Sequence, residues 1–136
     1  MNSSYKSSVF TDLIVWQKAH KLTLLVYSIT QKFPHEEIYS LTSQFRRSVI
    51  SIPANIAEGY KRKGRLDKLK FLNYAQGSLE ETRYYTILSK DLGYIDLSTF
   101  ELLDESINEV SFLLNSYSST IAKNDDKSST TSSNFL

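Results

Sequence analysis

Cysteine is absent from the 136-residue chain, which removes disulfides, thiolate nucleophiles and cysteine-ligated zinc together and suits a reducing, cytoplasmic setting. Proline and glycine are scarce, with two and four copies, so few points interrupt a helix. Neither sign of charge dominates. Sixteen Lys and Arg against 15 Asp and Glu leave a formal net charge of +1, so no global field draws nucleic acid or anionic lipid. Binding of that kind must rest on a local patch. No run approaches the roughly 18 uncharged apolar residues of a membrane span, and the opening MNSSYKSSVF lacks the apolar stretch of a secretory signal. A soluble protein without a membrane partner is expected.

Catalytic motifs are missing as well. His20 and His35 stand on different segments, and neither has a carboxylate or a second histidine at a metal-binding helical offset. No Glu-x-x-His occurs, which removes the ligand set of di-iron bundles. Phosphate-cradling glycine loops and the hydrolase elbow have no candidate segment either. Glu101, Asp104, Glu105 and Glu109 read as the solvated side of a helix. No enzyme activity, cofactor or metal is expected.

What the chain does have is helical periodicity within the size of one domain. Val15, Ala19, Leu22, Val26, Ile29 and Phe33 alternate spacings of four and three, the seam of a first helix running from Leu13 to Phe33. Thr11 or Asp12 is expected to cap it, and Pro34 to end it. Ile38, Leu41, Phe45, Val49, Ile52 and Ile56 repeat the spacing over a second helix from Glu37 to Arg62, with a kink expected at its internal Pro53. A third helix, Leu66 to Leu92, carries two stripes. Leu69, Leu72, Gln76 and Leu79 form one; Phe71, Ala75, Ser78, Thr82, Tyr85, Leu88 and Leu92 form a broader, partly polar one, facing either its own bundle or a second subunit. Ser98 or Thr99 is expected to cap a fourth helix whose seam runs from Phe100 through Leu103, Ile107, Val110, Leu114 and Tyr117 to Ile121. The predicted fold is all-α, an antiparallel up-down-up-down four-helix bundle over residues 12–122, between a flexible leader (1–11) and a disordered polar tail (123–136).

Two constellations stand out. Asn55 and Glu58 on the second helix and Ser78 and Glu81 on the third are predicted to form a buried polar network where the helices cross, with small residues permitting close approach. Lys61, Arg62, Lys63, Arg65, Lys68 and Lys70 crowd the connection between these helices, with Arg46 and Arg47 earlier on the second. Such a cluster can neutralise phosphates of RNA or DNA, and Tyr60, Phe71 and Tyr74 offer rings for base stacking where exposed. A protein-interaction scaffold without nucleic acid is the alternative.

Three groups of residues carry a resemblance to a known family. They are Asp12-Leu13 with Val15-Trp16-Gln17-Lys18-Ala19, then Gln44-Phe45-Arg46-Arg47 with Ser51-Ile52-Pro53 and Asn55-Ile56-Ala57-Glu58-Gly59, and finally Phe71-Leu72, Ala75 and Gly77-Ser78-Leu79-Glu80-Glu81. In this order and spacing, over about Asp12 to Ile121, the chain resembles the four-helix-bundle family of the proteins encoded in intervening sequences of 23S ribosomal RNA genes. The resemblance implies a left-handed bundle that assembles into a ring, a homopentamer with itself as partner, and no catalytic residues. A related branch, the accessory proteins of diversity-generating retroelements, implies a reverse transcriptase and nucleic acid as further partners, although this chain is nearly neutral overall.

Overall fold

The computed structural model describes residues 9–128, with side chains up to residue 124. The polar stretch from residue 129 onward and the leader up to residue 8 lie outside the described residues. Among the described residues are four α-helices and no strand: α1 (Ile14–Thr30), α2 (Leu41–Lys61), α3 (Arg65–Asp91) and α4 (Leu97–Ser128). Each helix packs on its neighbour in sequence, and α1 also packs on α4, so all four surround one core.

The seam residues supply that core. Leu22 and Val26 of α1, Phe45, Val49, Ile52 and Ile56 of α2, Leu72 and Leu79 of α3, and Leu103, Ile107, Val110 and Leu114 of α4 are almost fully buried in one cluster. Each contributes about 1.5–3 kcal/mol of transfer free energy. Ile38 departs from its predicted seam and is exposed. The reason is that α2 begins three residues beyond it, at Leu41, while His35–Glu37 form a separate 3-10 turn.

Both stripes of α3 are largely absorbed within the chain, except at Leu92, which is 49% exposed. Ser78, Thr82, Thr86 and Ser89 are buried, and the hydroxyls of Thr82, Thr86 and Ser89 donate to the carbonyls of Ser78, Thr82 and Tyr85 at 2.9, 2.8 and 2.7 Å. Ser48 and Ser51 of α2 meet Thr82 and Ser78 at 2.9 and 2.7 Å. Further along the same contact, a β-carbon on buried Gly59 would stand 3.2 Å from Phe71 Cβ and 3.3 Å from the Lys68 carbonyl oxygen, so only glycine fits without a shift.

Pro53 neither ends α2 nor stands in solvent; the helix continues through it to Lys61 with the proline buried. Its ring leaves the Val49 carbonyl without the amide that would normally bond it. The Thr23 hydroxyl of α1 lies 3.2 Å from that carbonyl, and 2.9 Å from its own Ala19 carbonyl. A neighbouring helix thus brings a hydroxyl to the position the proline leaves open, its one proton shared with the Ala19 carbonyl.

Other helix ends also differ from the sequence reading, and α1 itself stops at Thr30, short of Phe33. At α1 neither Thr11 nor Asp12 caps the helix; Phe10–Asp12 form a 3-10 turn, Leu13 occupies the cap position, and Phe10 packs edge-on against Trp16 at 5.2 Å. Two of its three residues, Phe10 and Thr11, fall within the expected leader. At α4 the cap is Asp96, not Ser98 or Thr99: its carboxylate accepts from the Thr99 amide at 2.8 Å, a bond that lowers its pKa. The helix also runs on to Ser128, past Lys123 where the sequence reading ended it. Gly93 closes α3 with φ 79°, a left-handed conformation in which Tyr94 and Gly93 donate to the Ser89 and Lys90 carbonyls at 2.9 Å.

Candidate nucleic-acid interface

The basic connection between α2 and α3 is tight. Arg62 turns extended at the end of α2, and Gly64 opens α3 by accepting from the Lys68 amide at 2.9 Å. Most cations here are held by the fold. Arg62 donates to Glu58 at 2.7 Å, lies 3.8 Å from Asp67 and stacks 4.5 Å over the Phe71 ring. Lys70 also pairs with Asp67, at 3.5 Å, and lies over Phe71. Lys68 points back to the end of α2, donating to the Tyr60 carbonyl at 2.8 Å, where burial pushes its ammonium pKa down. Arg65 is buried, only 6% exposed. Lys61 and Lys63 are exposed and have no partner among the described residues.

Lys63, Arg65 and Lys68 line a cleft of about 190 Å³ with Ile121 and Asn124 of α4, and no carboxylate is among those residues. A larger groove of about 690 Å³ follows along the same seam, where Leu66, Leu69, Asn73 and Gln76 of α3 face Asn115 and Ser118 of α4. Gln76 donates to Asn115 across it at 2.6 Å. Sequence reasoning passed over these amides. Their signal was the recurrence of polar residues three and four apart on the outer side of each seam.

Arg46 and Arg47 do not join the turn. They precede Lys61 by about 20 Å along the helix, and both are engaged. Arg46 donates to Thr30 Oγ1 at 2.8 Å and lies 4.5 Å over the Tyr27 ring of α1. Arg47 reaches Glu81 of α3 at 2.7 Å, and that bond raises its pKa.

The predicted polar network divides. Ser78 bonds Ser51, and Asn55 donates to the Ser51 hydroxyl and carbonyl at 3.0 and 2.8 Å, so these join α2 to α3. Glu58 and Glu81 stand outside it, paired with Arg62 and Arg47 on the surface. Gly77, beside Ser78 on α3, faces open space.

Of the rings expected to be available, Tyr74 is 52% exposed, whereas Phe71 lies beneath Arg62 and Lys70. His20 stacks on Trp16 at 5.0 Å, and His35 sits in the turn before α2. Asp104 and Glu109 pair with Arg83 and Lys18 at 3.7 and 3.4 Å. Among the described residues no three metal-ligating side chains gather, and no helix is long and apolar enough to cross a membrane.

A comparison with curated proteins finds no match. Among solved structures, the chain is similar to a protein of unknown function of the S23 ribosomal protein family from Bacteroides thetaiotaomicron VPI-5482. The two are 26% identical, with a TM-score of 0.72, over 77% of this chain and 98% of that one. The family model for the 23S rRNA-intervening sequence protein matches residues 11–116, which takes in all of the first three helices and most of the fourth. On that match the chain belongs to the family of 23S rRNA-intervening sequence proteins.

Proposed function

We propose that this chain is a non-enzymatic, oligomeric bundle that binds RNA or DNA, holding backbone phosphates at the α2–α3 turn. In this reading the helices run antiparallel, up-down-up-down, in a left-handed bundle, and copies close into a ring, a homopentamer. The observation that carries it is the cleft that Lys63, Arg65 and Lys68 line, beside exposed Lys61. Cations grouped this way lower the free energy of a polyanion by releasing its counterions, without reading sequence. Arg46 and Arg47 sit elsewhere and are excluded from this site.

The test is binding of a fluorescent RNA across a salt series. Affinity is expected to fall linearly with salt on logarithmic axes, and Lys61→Glu with Lys63→Glu to weaken it and flatten the slope by about 1–2. Those positions are preferred to Arg62, whose contacts to Glu58 and Phe71 hold the turn itself. Unchanged binding in the double variant would reject this site. The same preparations, weighed by native mass spectrometry, test the ring: a mass of one 15.6 kDa chain would overturn it.

A second reading, a scaffold for a protein partner such as a reverse transcriptase, is favoured by a different observation. Phe10, Trp16, Ile50, Pro53, Ala54 and Ala57 line an open apolar groove of about 290 Å³ between α1 and α2. Stoichiometric co-purification of a protein free of nucleic acid would support it over the first.

A further inference from the structure

We infer that the nucleic acid held at the α2–α3 turn is single-stranded, with unpaired bases lying in the groove between α3 and α4. The inference rests on the phosphate reading above and deepens it. Charge complementarity argues for a polyanion: the basic cleft opens at one end of the groove, since Arg65 and Lys68 adjoin Leu66 and Leu69 on α3, and Ile121 follows Ser118 by one turn on α4. Lys70 lines the groove itself.

The shape and chemistry argue for bases rather than a duplex. A duplex is read by an element that projects into its major groove, and this site is concave. Apart from Lys70, its polar residues are amides and serines, which carry no charge and offer both donors and acceptors. Asn115 and Gln76 are held in register by their 2.6 Å bond, which uses one group of each. The Gln76 carbonyl and the Asn115 amino group are left for other partners, one an acceptor and the other a donor. Unpaired base edges present the complementary pair, and a stacked duplex keeps those edges engaged. Leu66, 64% exposed, provides an apolar surface for a base face, and Tyr74 stands one turn from Lys70 with its ring exposed.

The experiment compares a short labelled oligonucleotide, single-stranded and in duplex, binding to the full chain at one salt concentration and then across a salt series. Single strands are expected to bind at least about tenfold tighter than duplex. Asn73→Leu and Asn115→Leu, of similar shape and no charge, are each expected to weaken single-strand binding about tenfold, leaving the salt slope unchanged because amides neutralise no phosphate. Asn115→Leu lies on a different helix and stands as the independent check if Asn73→Leu fails to fold. Equal or tighter duplex binding overturns the inference. So does wild-type affinity in the folded amide variants, including the case where they instead shift the oligomeric mass because this groove is covered by another copy. Failure of the phosphate reading looks different: neither form binds, or Lys61→Glu with Lys63→Glu changes nothing.

Discussion

Gly59 and Gly77 lie on adjoining helices, and the same substitution is expected to act on them with opposite signs. A methyl group at Gly59 meets Phe71 Cβ and the Lys68 carbonyl, both parts of α3 that cannot give way alone. Gly59→Ala is expected to cost about 1–3 kcal/mol as the helices separate. Gly77 has nothing within 4 Å of the added carbon and sits inside a helix, so Gly77→Ala is expected to gain about 0.5–1 kcal/mol by restricting the unfolded chain. Urea denaturation midpoints check both; shifts of the same sign would contradict the packing described. Residue-level roles were the least legible part of the sequence. Arg47 and Glu81 are 34 positions apart and Arg46 and Thr30 are 16, so their pairing is decided by which helices adjoin and in what register. Nothing local to Arg46-Arg47 marks them as engaged rather than free. Glycine shows the same limit: Gly59 and Gly77 look alike in sequence, and only the placement of α3 separates them.

At the scale of the element, α2 continues through an internal proline with α1 beside it. The Val49 carbonyl, deprived of the Pro53 amide, has the Thr23 hydroxyl within reach. Thr23→Val keeps the shape and removes that donor, so it is expected to destabilise by about 1–2 kcal/mol. In a Pro53→Ala background the restored amide takes over the carbonyl, and the cost of Thr23→Val should shrink by more than about 0.5 kcal/mol. Additive effects in this double-mutant cycle would show that the threonine does not act through the Val49 carbonyl. Helix existence was readable from spacing alone, since a seam such as Phe45-Val49-Ile52-Ile56 fits only a 3.6-residue period. Helix ends were not, because several donors compete for each cap. Asp96 won over Ser98 and Thr99, and Glu37 prepares the start of α2 from outside it. The two stripes of α3 were visible, yet the sequence left open whether both turned inward. The ladder of serine and threonine hydroxyls bonded to carbonyls is what lets a polar stripe be buried without cost to its donors.

At the scale of the whole molecule the two ends of the bundle differ in kind. One end gathers the cations of the α2–α3 turn; at the other, the α1–α2 and α3–α4 connections are tied together by Glu37. Its carboxylate accepts from Ser40 Oγ at 2.6 Å, from the Tyr94 hydroxyl at 2.7 Å and from the Leu41 amide at 3.3 Å, and Phe33 packs 5.3 Å from the Tyr94 ring. The bonds from Ser40 and then Tyr94 hold the Glu37 carboxyl below the usual glutamate range, while the same contact with Glu37 raises the Tyr94 phenol. The signs set a window. A carboxyl whose folded pKa is lowered contributes stability above its ordinary titration range, and that contribution is lost as pH falls through the lowered value. A phenol whose folded pKa is raised contributes below its ordinary range and loses that contribution as pH rises through the raised value. The tie therefore works at neutral pH and fails at both extremes. Glu37→Gln is expected to be less stable than the wild type at pH 7, with the gap closing in acid; Tyr94→Phe should close its own gap in alkali. Thermal melts across pH check this, and a Glu37→Gln deficit that persists unchanged in acid would mean that the carboxylate charge plays no part in the tie. Because this end lies opposite Lys61 and Lys63, melts and phosphate binding should respond to different substitutions: Glu37→Gln lowers the melting temperature with little effect on the salt slope, and charge reversal at Lys61 and Lys63 does the reverse.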